Sequence, residues 1–227
     1  MTKLLSLLPL ALLLPAPLAA QPDGGPYARV AVIRPAPGRA QDFEAGYRRH
    51  LDWHRAAGDP WAWYGWSVSF GDRLGWFVDA TFGHSAAELD QGVAPAEDGA
   101  DNARNVTPFG EFVANLVYRF LPSLSNGGPA PGAAPFLEWT TVEVVPGREA
   151  EFERLTAAAG QPAAGTRWYR LVAGAGTPAY LRLRPMAGLR DLGDGRTGLS
   201  APAGALVRSV TVELLRYRPE LSLGVER

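Results

Sequence analysis

The chain states one phrase twice. Pro37-Gly38-Arg39 is followed by Phe43-Glu44, and Pro146-Gly147-Arg148 is followed at the same spacing by Phe152-Glu153. Each copy then reaches a Trp-Tyr pair, Trp63-Tyr64 and Trp168-Tyr169, and closes on Arg-aromatic-x-Pro-x-Leu-Ser, Arg119 to Ser125 and Arg216 to Ser222. A chain that repeats itself over about a hundred residues folds as two similar units. The run Asn126 to Pro135, rich in Gly, Pro and Ala, has no apolar period and falls between the copies as a linker.

Within the first copy, Ala28 to Arg34 reads as a strand, Ala40 to Ala57 as a helix stopped by Gly58 and Pro60, and Trp61 to Phe70 and Trp76 to Phe82 as strands. Ser85 and Glu88 have capping-box spacing and start a short helix. Gln91 to Pro108 reads as a long polar loop, and Phe112 to Phe120 as the last strand. The second copy repeats the order: strand Phe136 to Val145, helix Glu149 to Ala159, strands Arg167 to Ala173 and Ala179 to Arg184, a short helix within Ala187 to Leu192, and strand Leu206 to Arg216. Each half is then β-α-β-β-α-β, the ferredoxin-like order. Helices cover one face of such a sheet. Two copies in one chain bury the other by laying the bare faces together, which favours an α+β fold closed into an intrachain α/β barrel.

The doubled order, together with the strand-Pro-Gly-Arg-helix phrase and its downstream Phe-Glu, resembles the dimeric α/β-barrel superfamily in fused tandem form. It is similar to the antibiotic-biosynthesis-monooxygenase-like and NIPSNAP-like members. The resemblance implies a ligand cavity between helix and sheet. It implies no single chemistry, since the superfamily includes cofactor-independent monooxygenases, haem-degrading enzymes, haem peroxidases and chlorite dismutases.

Residues 1–20 read as a signal peptide: Lys3, an apolar run Leu4 to Leu14, and small residues at Ala19-Ala20. That run is shorter than the roughly 20 residues a spanning helix needs. The expectation is cleavage after Ala20, a periplasmic or secreted protein, and no stable membrane insertion. Units 21–125 and 136–227 then flank the 126–135 linker. There is no cysteine and the net charge is −1. The first excludes disulfides and a thiol nucleophile, and the second disfavours a nucleic-acid partner. No Gly-x-Ser-x-Gly elbow, phosphate loop or dinucleotide fingerprint is present. Oligomeric state is left open.

All three histidines lie in the first copy. His50 and His54 share the apolar face of the first helix with Phe43 and Tyr47. Three readings compete: hydrogen-bonded core histidines, a small-molecule pocket, and a metal or haem site. A metal lacks a third ligand in this reading, because Asp52 points away and His84 stands at the end of the third strand. No metal or other cofactor is therefore expected, with haem as the alternative. The candidate ligand-binding residues are Tyr47, His50, His54, Tyr64, Trp66 and Asp79. They would form the first-half cleft around an apolar or aromatic small molecule. The enzyme alternative is a cofactor-independent monooxygenase or a haem-binding or haem-degrading enzyme; the third is a structural interaction module. In the second copy, Arg182 and Arg184 share a strand face and read as cross-strand ion pairs or an anion-binding patch.

Overall fold

A computed structural model describes residues 24–176, 178–193 and 199–225. The expected signal peptide lies outside them. The first half runs β1 (Tyr27–Pro35), α1 (Ala40–Ala56), β2 (Tyr64–Phe70), β3 (Phe77–His84), α2 (Ala86–Leu89), α3 (Pro95–Asn105) and β4 (Gly110–Phe120). The second runs β5 (Phe136–Val144), α4 (Glu149–Ala158), β6 (Arg167–Ala173), β7 (Ala179–Met186), α5 (Ala201–Gly204) and β8 (Val207–Tyr217). Short 3₁₀ turns follow β4, β7 and β8.

The eight strands close into one antiparallel barrel in the order β1-β3-β2-β8-β5-β7-β6-β4. Each half contributes its four strands in the same relative order, β4-β1-β3-β2 and β8-β5-β7-β6. The halves join edge to edge at β2–β8 and β4–β6. Closure removes every exposed edge. It also turns the two faces that helices do not cover into a shared interior. Ala28, Val30 and Val32 of β1 point inward, and Tyr64, Trp66 and Val68 of β2 do the same, meeting Trp139, Tyr169, Leu181 and Leu215. Alternate residues pack outward under the helices. Ile33, Trp63 and Phe77 lie beneath Phe43, Tyr47 and Leu51 of α1, while Val142, Trp168 and Tyr180 lie beneath Phe152 of α4.

The repeated Pro-Gly has a backbone cause. Gly38 and Gly147 take φ of +74° and +81°, the left-handed region that residues with a Cβ avoid, and so turn each first strand into its helix. The 126–135 stretch crosses one end of the barrel. There the Tyr169 hydroxyl donates to the Pro129 carbonyl and Arg167 Nε donates to the Gly128 carbonyl at 2.8 Å.

Three sequence expectations change. The Gln91–Pro108 loop contains the eleven-residue helix α3. β2 starts at Tyr64 rather than Trp61, and the segment after β7 forms only a 3₁₀ turn, Leu189–Asp191. Arg182 and Arg184 both pair with Glu138 on the neighbouring strand β5. Among the described residues, no helix is long and apolar enough to cross a membrane.

Candidate metal centre

The site is built where α3 lies across α1. Pro95 opens α3, Glu97 and Asp98 occupy its first turn, and Arg104 its last, charges that suit the helix dipole. The crossing is close because residue 46 has no side chain: a Cβ on Gly46 would lie 1.8 Å from the Asn105 carbonyl oxygen. Side chains then lock the pair. Arg49 Nε donates to Asn105 Oδ1 at 2.8 Å, and Asn105 Nδ2 donates to Asp101 Oδ1 at 2.9 Å.

Both α1 imidazoles are buried, and each is fixed at Nδ1 by a carboxylate. His50 Nδ1 lies 2.9 Å from Asp101 Oδ2, and His54 Nδ1 lies 2.7 Å from Asp59 Oδ2. Asp59, just past the end of α1, also accepts from the Trp61 backbone at 3.0 Å and Trp63 Nε1 at 2.8 Å. Burial works to raise the Asp59 pKa, but the hydrogen bonds from His54, Trp61 and Trp63 hold it below the ordinary carboxylate value. With an Asp oxygen facing each Nδ1, a neutral imidazole places its proton on that nitrogen. Each Nε2 is then left with a lone pair.

Those lone pairs converge. His50 Nε2 and His54 Nε2 are 3.2 Å apart, and Asp98 Oδ1 lies 3.4 Å from the first and 3.5 Å from the second. Asp98 Oδ1 and Asn102 Oδ1 are buried without a hydrogen-bond partner. Burial and then the neighbouring His54 lower the His50 pKa, against the pull of Asp101, so the lone pair is retained at neutral pH. The arrangement turns three acceptor atoms toward one point, with the Asn102 amide nitrogen near them, 3.4 Å from His50 Nε2; Asp98 Oδ1 stays unsatisfied, and a buried acceptor left so is costly. Three ligand atoms about 2.0–2.1 Å from a tetrahedral centre stand about 3.3–3.4 Å apart. The observed edges are those of such a site.

Beside the triangle is a cavity of about 30 Å³, walled by Tyr47, Asp79, Trp63 and Asn102 as well as His50, His54 and Asp98. It holds about one water. Asp79 is buried, and burial pushes its pKa up to about 6, against a hydrogen bond with Tyr47 and the charge of Arg29. Burial and Asp79 together raise the Tyr47 pKa. A carboxyl whose folded pKa is raised from 3.8 to about 6 stabilises the fold as its neutral acid below pH 3.8 and loses that stabilisation as pH rises through 6. Ionised Asp79 therefore costs about 3 kcal/mol at neutral pH. Asp79→Asn is expected to melt higher than wild type at pH 8 in chelator, with the gap closing between pH 6 and 4. His50 acts in the opposite direction: its lowered pKa means stability is lost as pH falls below 6.5. Thermal melts of both proteins across pH separate the two.

Of the residues expected to form the cleft, Tyr47, His50, His54 and Asp79 come together. Tyr64 and Trp66 do not: they point into the barrel interior, stacked 5.5 Å apart, on the other side of the sheet. The cleft has room for an ion and a water rather than an aromatic molecule, since ligand pockets run to roughly 300–1,000 Å³. His84 is buried against Trp61 and bonds Thr81 Oγ1 at 2.6 Å. Haem does not fit these histidines. The cavity that His50 and His54 line measures about 30 Å³, far too small for a haem. Asp59, Asp98, Asp101 and Asn102 are the site residues that the sequence reading missed.

No family model matches the chain, and no curated protein matches it. Solved structures do. A proposed monooxygenase of Lactobacillus acidophilus NCFM shares 13% identity at a TM-score of 0.54, over 85% of this chain and 94% of its own. An anthrone oxidase-like protein shares 13% at 0.55, over 85% and 91%. A mutant chlorite dismutase of Candidatus Nitrospira defluvii, solved with cyanide, shares 9% at 0.58, over 88% and 93%. At these identities the likeness establishes the fold alone, an α+β chain closed into an eight-stranded antiparallel barrel.

Proposed function

We propose that the protein binds one divalent transition metal ion, of the zinc class, between α1 and α3, through His50 Nε2, His54 Nε2 and Asp98 Oδ1. The observation that carries this reading is the triangle of 3.2, 3.4 and 3.5 Å drawn by three lone-pair atoms. Its outer layer supports it: metal-binding histidines almost always give their second ring N–H to a carboxylate or carbonyl, and both do so here, to Asp101 and Asp59. The sequence reading found no third ligand for the His pair, and Asp98 from the unforeseen helix is that ligand.

The fourth position faces the small cavity. The Asn102 amide, whose Nδ2 lies 3.4 Å from His50 Nε2, can be turned end for end to offer its oxygen there, or a water can fill it. A zinc ion with an open fourth position polarises a bound water and lowers its pKa. Asp79 Oδ1, buried and without a hydrogen-bond partner, is the acceptor placed on that cavity. Export is part of the proposal: the protein takes up its ion after cleavage behind Ala20. A mature N-terminus at Gln21, read by mass spectrometry, supports that part; an intact leader contradicts it.

Equilibrium dialysis of chelator-stripped protein against Zn²⁺ or Co²⁺ tests the site. One ion per chain is expected for wild type and none for the His50→Ala/His54→Ala double variant. Equal uptake by both proteins would refute the proposal.

A further inference from the structure

The barrel has a closed end and an open one. At the linker end, Tyr64, Phe82, Tyr169 and Phe120 form a chain of ring contacts 5.4 to 5.9 Å apart that fills the bore. At the opposite end, where β5 finishes and β8 begins, the interior positions are Thr141, Ala179 and Thr211, and they leave a cavity of about 430 Å³. An eight-stranded barrel is just wide enough for side chains to fill or for one small ligand. This barrel does the first at one end and has room for the second at the other.

The cavity is layered. Its inner wall is apolar and buried: Leu116, Tyr118, Trp139 and Leu171. Burial drives the Tyr118 pKa up to about 12, so the phenol stays neutral. Four charged residues stand above this wall: Arg73, Glu213, Arg208 and Glu143. The first two neutralise one another. Glu213, 2% exposed, takes Arg73 Nε at 2.9 Å and the Arg73 backbone N–H at 3.2 Å. That leaves one cation and one anion, Arg208 and Glu143, both exposed at the rim and neither in an ion pair among the described residues.

Arg208 reaches the rim through an irregularity in the sheet. Glu143 faces Ser209 while Val144 faces Val207, so Arg208 is the extra residue of a bulge. A bulge re-aims the side chain it carries. On a regular strand Arg208 would alternate with the inward-facing Ser209 and Thr211. The bulge instead brings it into the wall of the same cavity that Glu143 lines.

We infer that the barrel mouth binds an apolar or aromatic α-amino acid, with its carboxylate on Arg208, its ammonium on Glu143 and its side chain against Trp139 and Leu116. An apolar well, capped by one cation and one anion of adjacent register, matches a zwitterion with an apolar tail. A fatty acid or a simple amine would leave one rim charge unanswered. The site shares no lining residue with the proposed metal cavity, so either stands without the other.

Titration calorimetry of the full-length mature protein with L-phenylalanine and L-leucine tests this. Saturable binding is expected at millimolar ligand, one molecule per chain. Phenylacetate and 2-phenylethylamine, each lacking one charge, should bind about tenfold more weakly than L-phenylalanine. Arg208→Glu and Glu143→Arg lie on the exposed rim and should each cost about tenfold, and the combined charge swap should recover part of the loss. Thermal melts confirm that the variants fold. Absence of saturable amino-acid binding would overturn the inference, as would phenylacetate or phenylethylamine matching L-phenylalanine, or binding unaltered in both rim variants.

Discussion

Chelator-stripped protein is expected to melt about 10 °C higher when Zn²⁺ is added at a thousandfold excess over its dissociation constant. A ligand that binds only the native state stabilises it by about 4 kcal/mol at that excess. A chain of this length gains about 2–4 °C per kcal/mol. The shift should vanish in His50→Ala and in His54→Ala, because each leaves only one imidazole on the point where the lone pairs meet. Asp98→Ala should keep a reduced shift, since the two histidines remain. His84→Ala is the control: His84 bonds Thr81 and has no part in the triangle, so its variant should lose basal stability and keep the full zinc response. Loss of the response in His84→Ala with retention in His50→Ala would place the ion elsewhere.

The second large effect is expected at a residue that touches no ligand. Gly46→Ala puts a methyl where the Asn105 carbonyl oxygen now is, at a distance of 1.8 Å. Both partners are backbone, so no side chain can swing aside, and α3 must retreat from α1. Overpacking of this kind costs about 1–3 kcal/mol. The functional cost should be larger in kind. Asp98 and Asp101 ride on α3, so the third ligand and the partner of His50 Nδ1 both move away from histidines that stay in place on α1. Zinc affinity should fall by about 10–100-fold, the range seen when supporting residues of a metal site are lost. Isothermal titration of Gly46→Ala against Gly99→Ala, whose added Cβ meets nothing within 4 Å, isolates the helix crossing from helix propensity. Equal affinities in the two variants would show that the crossing does not set the site.

The architecture was legible because repetition is a global signal. Two copies of the strand-Pro-Gly-Arg-helix phrase imply two equal half-sheets, and burial of their bare faces then leaves few arrangements. The His50–His54 face was legible for the same reason that any amphipathic helix is. The third ligand was not. The run from Gln91 to Pro108 breaks its four alanines with two each of Gly, Asp, Asn and Pro, residues of low helix propensity, so by local preference it reads as loop. Its central helix is held by tertiary contacts instead: the seat over Gly46, the Arg49–Asn105 bond and the Asp101–His50 bond. Two signals were available. Pro95 with Glu97 and Asp98 just after it, and Arg104 a few residues on, is a helix-start and helix-end pattern. Gly46 in the middle of an otherwise good helix marks a close approach.

The misassigned aromatics have a register cause. Alternation correctly set Tyr64 and Trp66 on one face of β2, but the helix side of the sheet belongs to the other face. Asp79 pairs with Gly65, not with Tyr64, so the face that carries Asp79 toward α1 carries no aromatic ring from β2 at that level. Trp63, just before the strand and bridged to Leu223, is the ring that reaches His54 instead, with centroids 5.5 Å apart.

Zinc-edge anomalous scattering from crystals of the mature protein grown with Zn²⁺ is the most direct test of the central claim. The account predicts one strong peak in the first half, between α1 and α3, about 2.0–2.1 Å from His50 Nε2 and His54 Nε2 and about 2.0–2.2 Å from Asp98 Oδ1. An empty cleft with the two imidazoles still facing one another, or a sole peak bound by other residues, would contradict it.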